Sequence, residues 1–147
     1  MVLTHALTHS NNYFFATLGE KLAFEKVSFY AHQFGYGEKA GLGIRGEEPG
    51  RFPSSPPSNG GVGMLANFGE EIKQTPLQLA ALMSAIANGG TLYFLRYPRA
   101  PEEIAYFSPR IKRQLDIQRL VSGITPGLRD AVESARHTRP PGGGDRR

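Results

Sequence analysis

The sequence predicts a mainly α-helical chain with little β-sheet. Apolar residues recur at helical spacing in two stretches near the start, at about residues 11–20 and 24–34. A third helix with marked ends follows at residues 76–87, and only residues 91–97 are typical of a strand. A length of 147 residues, with 39% hydrophobic and 20% charged residues, fits one globular domain with a real core.

The first helix is predicted to follow the triplet Ser10-Asn11-Asn12, which stands directly before an apolar run from Tyr13 to Leu18. Side-chain oxygens of Ser and Asn accept hydrogen bonds from the free N–H groups of a first helical turn, so the triplet is a good helix start. Taken alone, it is better explained as a cap than by a chemical role, because short motifs often match by chance.

The middle of the chain combines an irregular segment with the clearest helix. Residues 35–63 are dense in Gly, Pro and Ser, which predicts a long loop, and long loops inside domains are usually functional or mobile. The helix that follows has Thr75 as a plausible N-cap, Pro76 at its first position, and Asn88-Gly89 for a left-handed end. Apolar residues surround its axis, so we expect it to be buried on most sides.

The last third of the sequence carries weaker signals. The run from Thr91 to Tyr97 is rich in Leu, Tyr and Phe and predicts a strand, and a polar connector begins after Pro98. One short helix is predicted from about Pro126 to Ser134. The end of the chain has no large apolar residue and predicts a disordered tail.

Charge and composition exclude several functions. Of the net charge of +4, the segment from Arg136 onward contributes +3, from four Arg and one Asp, and it has no aromatic residue to interleave with them. We therefore expect no nucleic-acid partner. The absence of Cys excludes disulfides, thiolate catalysis and Cys-ligated zinc. The longest apolar stretch is too short for a bilayer and the start lacks a basic leader, so we expect no membrane segment and no export signal in this chain.

Three segments together resemble the transpeptidase domain of penicillin-binding proteins, which cross-link peptidoglycan. They are the triplet at the first helix start, FGYGEKAGLGI at residues 34–44, and NFGEEIKQTPLQLAALMSAIANGG at residues 67–90. With the last segment at the right order and distance, the interpretation of Ser10 and Asn12 as an SxN motif is favoured over a plain cap.

The resemblance implies an α+β fold in which helices pack against an antiparallel sheet. It covers most of residues 6–132 and is strongest over residues 69–90. The chain then holds mainly the α-helical part of a penicillin-binding transpeptidase domain, with little of the antiparallel sheet. We accordingly divide the sequence into a partial transpeptidase domain at residues 1–133, from the SxN motif to the region before KTG, and an Arg/Pro/Gly-rich disordered tail at 134–147, for which a frameshift is our hypothesis.

The same resemblance implies a peptidoglycan D,D-transpeptidase. In the family, an acylating serine attacks the D-Ala-D-Ala carbonyl of the stem peptide and is activated by the lysine of an SxxK motif. Ser10 is implied to relay a proton to the leaving amine while hydrogen-bonding that lysine, and Asn12 to orient the lysine and the substrate backbone. A KTG motif holds the substrate carboxylate beside a backbone oxyanion hole. The implied partners are the stem peptide and β-lactams, at the periplasmic or extracytoplasmic face of the inner membrane.

The other two motifs of the family are not found in this sequence. None of its nine serines is followed by lysine three positions later, so there is no SxxK. Lys39-Ala40-Gly41 approximates KTG, but it lacks the hydroxyl residue and follows Ser10 too closely, and we treat it as a coincidence. We therefore expect a fragment truncated on both sides and inactive alone.

Glu71 departs from the family pattern, because similar proteins usually carry a second glycine at this place. If that glycine has a positive φ, an L-residue there is strained. The sequence thus predicts a strained or rearranged turn just before Lys73.

Two other patterns could suggest a cofactor or metal and are rejected. Residues 41–46 fit GxGxxG, but they follow no strand and lead into Glu and Pro instead of a helix. His5 and His9 could share a helical face, but no Glu lies between them and no third ligand is near in sequence. We expect neither a cofactor nor a metal.

Two functions from other classes stay open. The chain could be a non-catalytic module that folds alone and binds cell-wall peptide or a partner protein, which the helix at residues 77–87 and the chain length permit. Nucleic-acid binding through the Arg-rich tail ranks last, and it predicts association that weakens steeply with salt.

Overall fold

The computed structural model describes residues 2–137, and these form six helices and two short strands. Four helices precede the first strand: α1 (Leu3–Thr8), α2 (Asn12–Gln33), α3 (Gly61–Phe68) and α4 (Pro76–Ala87). The remaining elements are β1 (Thr91–Tyr93), α5 (Pro101–Ala105), β2 (Ile111–Gln114) and α6 (Gln118–His137). The prediction of a mainly helical chain with little sheet is confirmed.

Helix α2 is interrupted at Ala23, where φ is 63° and ψ is 166°. This conformation is open mainly to glycine, so it divides α2 into two helical segments. The two periodic stretches in the sequence predicted this division.

Helix α3 crosses α2 at Gly19, where an added Cβ would overlap the Ala66 side chain and lie 2.9 Å from the Val62 carbonyl oxygen. The crossing is close because Gly19 has no side chain.

The Gly- and Pro-rich segment has no helix or strand between the end of α2 and Gly61, which confirms the predicted loop. One isolated antiparallel bridge anchors it to the rest of the chain. The Arg51 N–H donates to the Lys73 carbonyl at 2.7 Å, and the Lys73 N–H donates to the Arg51 carbonyl at 2.9 Å.

Helix α4 begins and ends where the sequence predicts. Thr75 and Gln78 form a reciprocal capping box, Pro76 occupies the first turn, and the Asn88 side chain accepts the Thr91 N–H at 2.7 Å after the helix end. The expectation of burial on most sides is wrong. Leu79 and Met83 are 48% and 50% exposed, because the described part of the chain covers only the opposite face of the helix.

The two strands form an antiparallel sheet in which Thr91 pairs with Gln114 and Leu92 with Arg113. The first strand ends at Tyr93 and is therefore shorter than predicted. Hydrogen bonding continues after it, since the Leu95 N–H donates to the Ala40 carbonyl at 2.9 Å. The buried cluster lies between α4 and this sheet and consists of Ala81, Ala85 and Leu92, with Leu95 packed against it.

Helix α6 is much longer than predicted, and Pro126 lies inside it instead of at its start. It packs on α1, where Gly127 faces Thr4 and Leu7 closely enough that a Cβ would lie 2.8 Å from the Thr4 carbonyl oxygen. Residues 134–137, the first four of the predicted tail, are the end of α6, and residues 138–147 lie outside the described residues. Among residues 2–137, no helix combines the length and apolar character needed to cross a membrane.

Candidate functional site

Ser10 occupies a left-handed position in the turn between α1 and α2. Its φ is 48°, and its N–H donates to the Leu7 carbonyl at 3.2 Å, while the next N–H, of Asn11, donates to the Ala6 carbonyl at 2.9 Å. These two bonds are those of a Schellman helix end, in which the left-handed residue is usually glycine. A serine here costs conformational energy, of order 1 kcal/mol, that glycine would avoid.

The three residues of the triplet have different roles. Asn11 is the cap of α2, because its Oδ1 accepts the Phe14 N–H at 2.8 Å. The Ser10 and Asn12 side chains are exposed and form no hydrogen bond with any residue in the described range 2–137. Capping therefore accounts for Asn11 and leaves the Ser10 hydroxyl and the Asn12 amide available for other groups.

An apolar groove of about 300 Å³ runs along α2 directly after the triplet. It is lined by Tyr13, Phe14, Thr17, Leu18 and Lys21, which recur at one and two helical turns. The Lys21 ammonium is the charge in this lining, and Tyr13 is 81% exposed. The surface beside Ser10 and Asn12 is thus open and largely apolar.

The structure places the other candidate residues in local, structural settings. Ala40, the middle residue of the KTG-like tripeptide, is buried, and the next N–H, of Gly41, donates to the Glu47 carboxylate. His5 and His9 lie one turn apart with ring centroids separated by 4.3 Å. Within residues 2–137, no group of three or more potential metal ligands is present.

Glu47 is a buried carboxylate that sequence reasoning missed. It accepts the N–H groups of Gly41 at 2.7 Å, Leu42 at 3.3 Å and Gly43 at 3.1 Å. Burial opposes its ionisation, but these backbone donors outweigh burial and hold the pKa of Glu47 below its ordinary value. The N–H groups of the GxGxxG-like loop are therefore used by the protein's own carboxylate, which explains the loop without a nucleotide.

Gln78 is the second residue that was missed, although the capping box T-x-x-Q was visible in the sequence. Its Oε1 accepts the Thr75 N–H at 2.7 Å, and its Nε2 donates to the carbonyls of Glu38 at 2.8 Å and Pro49 at 2.6 Å. The side chain is 4% exposed and joins the beginning and the middle of the loop to the start of α4. Partners 29 and 40 residues away could not be read from the sequence.

Glu38, in the loop after α2, forms ion pairs with two cations of β2. Its carboxylate lies 2.7 Å from Lys112 Nζ and 3.0 Å from Arg113 Nη2. Burial raises the pKa of Glu38, but the two cations outweigh burial and lower it overall. Arg113 also donates to the carbonyls of His32 and Gln33 at 2.9 and 3.0 Å, so one guanidinium stabilises the C-terminal end of α2.

The turn before Lys73 has the strain that the sequence predicted. Glu71 has a φ of 62°, a left-handed conformation that glycine adopts without cost. Its carbonyl accepts a hydrogen bond from Arg51 Nη2 at 3.4 Å, and the two side chains form a longer, exposed ion pair at 3.7 Å.

Comparison with known proteins decides the family. The family model described as the penicillin binding protein transpeptidase domain matches residues 1–139 of this chain. The chain belongs to this family. The resemblance drawn from the three sequence segments is thereby confirmed.

Individual relatives agree with the family. The chain is 42% identical over 81 residues to stage V sporulation protein D of Bacillus subtilis, an alignment that covers 54% of this chain and 12% of that protein. It is 38% identical over 65 residues to penicillin-binding protein H of the same organism, covering 44% of this chain and 9% of that protein.

A solved relative shows that the fold is also shared. The crystal structure of penicillin-binding protein 3 from Mycobacterium tuberculosis, complexed with aztreonam, matches with a TM-score of 0.64 and 26% identity. The match covers 97% of this chain and 32% of that one. The predicted fold, the helical part of a penicillin-binding transpeptidase domain with little sheet, is therefore confirmed, and the chain spans about a third of its solved relative.

Proposed function

We propose that this chain is the part of a peptidoglycan D,D-transpeptidase that carries the SxN motif, with Ser10 and Asn12 as its site residues. The observation that supports this most is the division of roles in the triplet: Asn11 caps α2, whereas Ser10 and Asn12 are exposed and unbonded within residues 2–137. Strained backbone conformations cluster at functional sites, and the left-handed conformation of Ser10 supports the proposal in this sense.

The proposed roles follow from the chemistry of acyl transfer. An acylating serine needs a base to take its proton and a route for that proton to the leaving amine. The Ser10 hydroxyl can both donate and accept, so it suits a relay between a lysine and the leaving group. The Asn12 amide offers a carbonyl and an NH₂ group, so it can hold a lysine ammonium and a substrate carbonyl together.

The nucleophile and its lysine have to come from elsewhere, because the sequence has no SxxK and no KTG. We infer that residues 1–133 act as a partial transpeptidase domain, with the Arg/Pro/Gly-rich segment 134–147 outside it, and that this chain alone is inactive. Peptidoglycan stem peptide and β-lactams are the proposed partners of the complete domain, at the periplasmic or extracytoplasmic face of the inner membrane.

The alternative of a non-catalytic binding module explains less of the triplet. A module needs a helix cap, which Asn11 supplies, but it gives no reason for a left-handed serine where glycine costs less. The transpeptidase proposal gives that reason, because a hydroxyl is required at this place.

Incubation of the purified chain with a fluorescent penicillin tests the proposal. We expect no covalent label, since no acylating serine is present in an SxxK setting. Mass spectrometry of the same sample checks the result independently of the dye. A stoichiometric covalent adduct on any serine of this chain would show that the proposed division of the active site is wrong.

A further inference from the structure

A second cleft, separate from the SxN turn, lies between the chain leaving β1 and the short helix α5. We call it the α5 cleft. Its volume is about 450 Å³, within the range of roughly 300 to 1,000 Å³ that small-molecule sites occupy. The residues that line it include Arg96, Tyr97, Glu102, Glu103, Tyr106 and Phe107.

The aromatic side chains of this cleft do not serve the core. Tyr106 is 88% exposed, Tyr97 is 50% exposed and Phe107 is 40% exposed. The buried cluster of the fold lies elsewhere, at Ala81, Ala85 and Leu92. Large apolar groups that face solvent and are rimmed by polar ones are typical of binding surfaces.

The polar groups of the cleft are partly held and partly free. The Arg96 guanidinium lies over the Phe107 ring at 5.5 Å and donates one N–H to the Ser108 carbonyl at 3.1 Å. One oxygen of Glu103 accepts the Arg99 N–H at 2.7 Å. The Glu102 carboxylate forms no hydrogen bond or ion pair with the rest of residues 2–137. The cleft therefore presents fixed donors together with unused acceptors.

The charges at and beside the cleft balance one another. Arg96, Glu102 and Glu103 line the cleft, and the Arg99 guanidinium lies beside it, 5.6 Å from the centre of the Tyr97 ring, so two cations offset two carboxylates. A polyanion such as nucleic acid requires an excess of cations, and a cationic ligand requires the reverse. The surface thus favours a ligand without net charge that has many hydroxyl groups and one flat apolar face.

We propose that the α5 cleft binds an uncharged pyranose oligosaccharide. The apolar face of a sugar ring packs on the Tyr106 ring and on the face of the Tyr97 ring that Arg99 does not cover. The sugar hydroxyls donate to the carboxylates of Glu102 and Glu103, and its oxygens accept from Arg96. This is a binding function beyond acyl transfer, and it requires neither Ser10 nor Asn12.

Titration of the full chain with chitotetraose, and separately with cellotetraose, followed by ¹H–¹⁵N NMR, tests this proposal. We expect saturable shifts of the amides at residues 96–107. Tyr106→Ala and Tyr97→Ala are each expected to weaken binding about tenfold, which corresponds to losing one ring platform. Tyr30→Ala is the matched control, since Tyr30 is a comparably exposed tyrosine on α2, and it should leave the affinity unchanged.

The NMR spectrum of each variant also reports whether its fold is intact, and the exposed position of Tyr106 predicts that it is. Three results would overturn the proposal. They are the absence of saturable shifts with both sugars, unchanged affinity in both tyrosine variants, and tighter binding of polyphosphate than of either sugar at residues 96–107.

Discussion

Replacing Ser10 with glycine should stabilise this protein. Ser10 has a φ of 48° at the left-handed position of a Schellman helix end. Its side chain has no hydrogen bond within residues 2–137 that the change would remove. Glycine avoids the clash of an L-residue there, which raises the free energy of unfolding by about 1 to 2 kcal/mol. It also makes the unfolded chain more flexible, which lowers the free energy of unfolding by about 0.4 to 1 kcal/mol. The difference between the two effects is centred on about 0.8 kcal/mol of added stability.

Urea unfolding monitored by circular dichroism measures this change. With an m value of about 2 kcal/mol/M, the midpoint should rise by about 0.4 M. Glu71→Gly repeats the test at a second left-handed residue, where φ is 62°, and should also raise the midpoint. Asn11→Ala is the opposite control, since losing the cap of α2 costs about 1 kcal/mol.

Ser10→Ala separates backbone strain from any contribution of the hydroxyl group. Alanine keeps the Cβ and therefore the strain, so its midpoint should stay near that of the parent protein. If glycine lowers the midpoint as much as Asn11→Ala does, Ser10 is not strained. Backbone strain would then no longer indicate that a function retains serine at this turn.

Three further predictions concern the loop and the helix crossing. Gln78→Ala should lower the free energy of unfolding by about 2 to 4 kcal/mol, because it leaves two carbonyls and one N–H without their partner. In the same urea titration, Gln118→Ala, at an exposed position, should change it by less than about 0.5 kcal/mol. Glu47→Gln should cost about 1 to 3 kcal/mol at pH 7 through the loss of charge-assisted hydrogen bonds. Since the folded-state pKa of Glu47 is depressed, its stabilisation is present above the unfolded pKa of about 4.5 and is lost as the pH falls through the folded value. Unfolding measured from pH 7 to pH 2 should therefore show that the difference in free energy of unfolding between the parent protein and Glu47→Gln shrinks as the pH falls. A difference that does not depend on pH would refute the role of the charge. The exposed Glu48→Gln serves as the control. Gly19→Ala should destabilise the protein by about 1 to 3 kcal/mol, because the new Cβ meets Ala66 and the Val62 carbonyl. At Gly123 a Cβ meets no atom within 4 Å, so Gly123→Ala should be neutral or stabilising. Calorimetry measures both variants, and equal effects would contradict the close crossing of α2 and α3.

The elements that could be predicted are those whose signals are local. The ends of α4 follow from Thr75, Pro76 and Asn88 because caps act within one turn. The division of α2 near Ala23 appears as a gap between two periodic stretches. The strain at Glu71 was predicted from a family position where glycine is usual.

The elements that were missed depend on contacts that are distant in sequence. Strand β2 has the polar sequence IKRQ, and only its pairing with β1 makes it a strand. Helix α6 continues through Pro126, because packing on α1 outweighs the local preference of proline for a helix start. The roles of Glu47 and Gln78 arise from loop carbonyls and N–H groups that only the folded chain brings together.

The candidate site was predicted as a triplet, and the structure divides it. From sequence, any of Ser10, Asn11 and Asn12 could cap the first helix. The backbone decides that Asn11 does so, because Ser10 is held left-handed at the end of α1 and Asn12 is already inside α2. The assignment of Ser10 and Asn12 as an SxN pair stays a prediction.

A chimera tests the central claim most directly. In the chimera, this chain replaces the matching third of penicillin-binding protein 3 from Mycobacterium tuberculosis. Stopped-flow fluorescence then measures the rate at which a fluorescent penicillin acylates the chimera. We predict that Ser10→Ala and Asn12→Ala slow acylation by about 100-fold, the scale of a lost proton relay, whereas Asn11→Ser, which keeps a cap, does not. Acylation at the same rate in all four proteins would contradict the account.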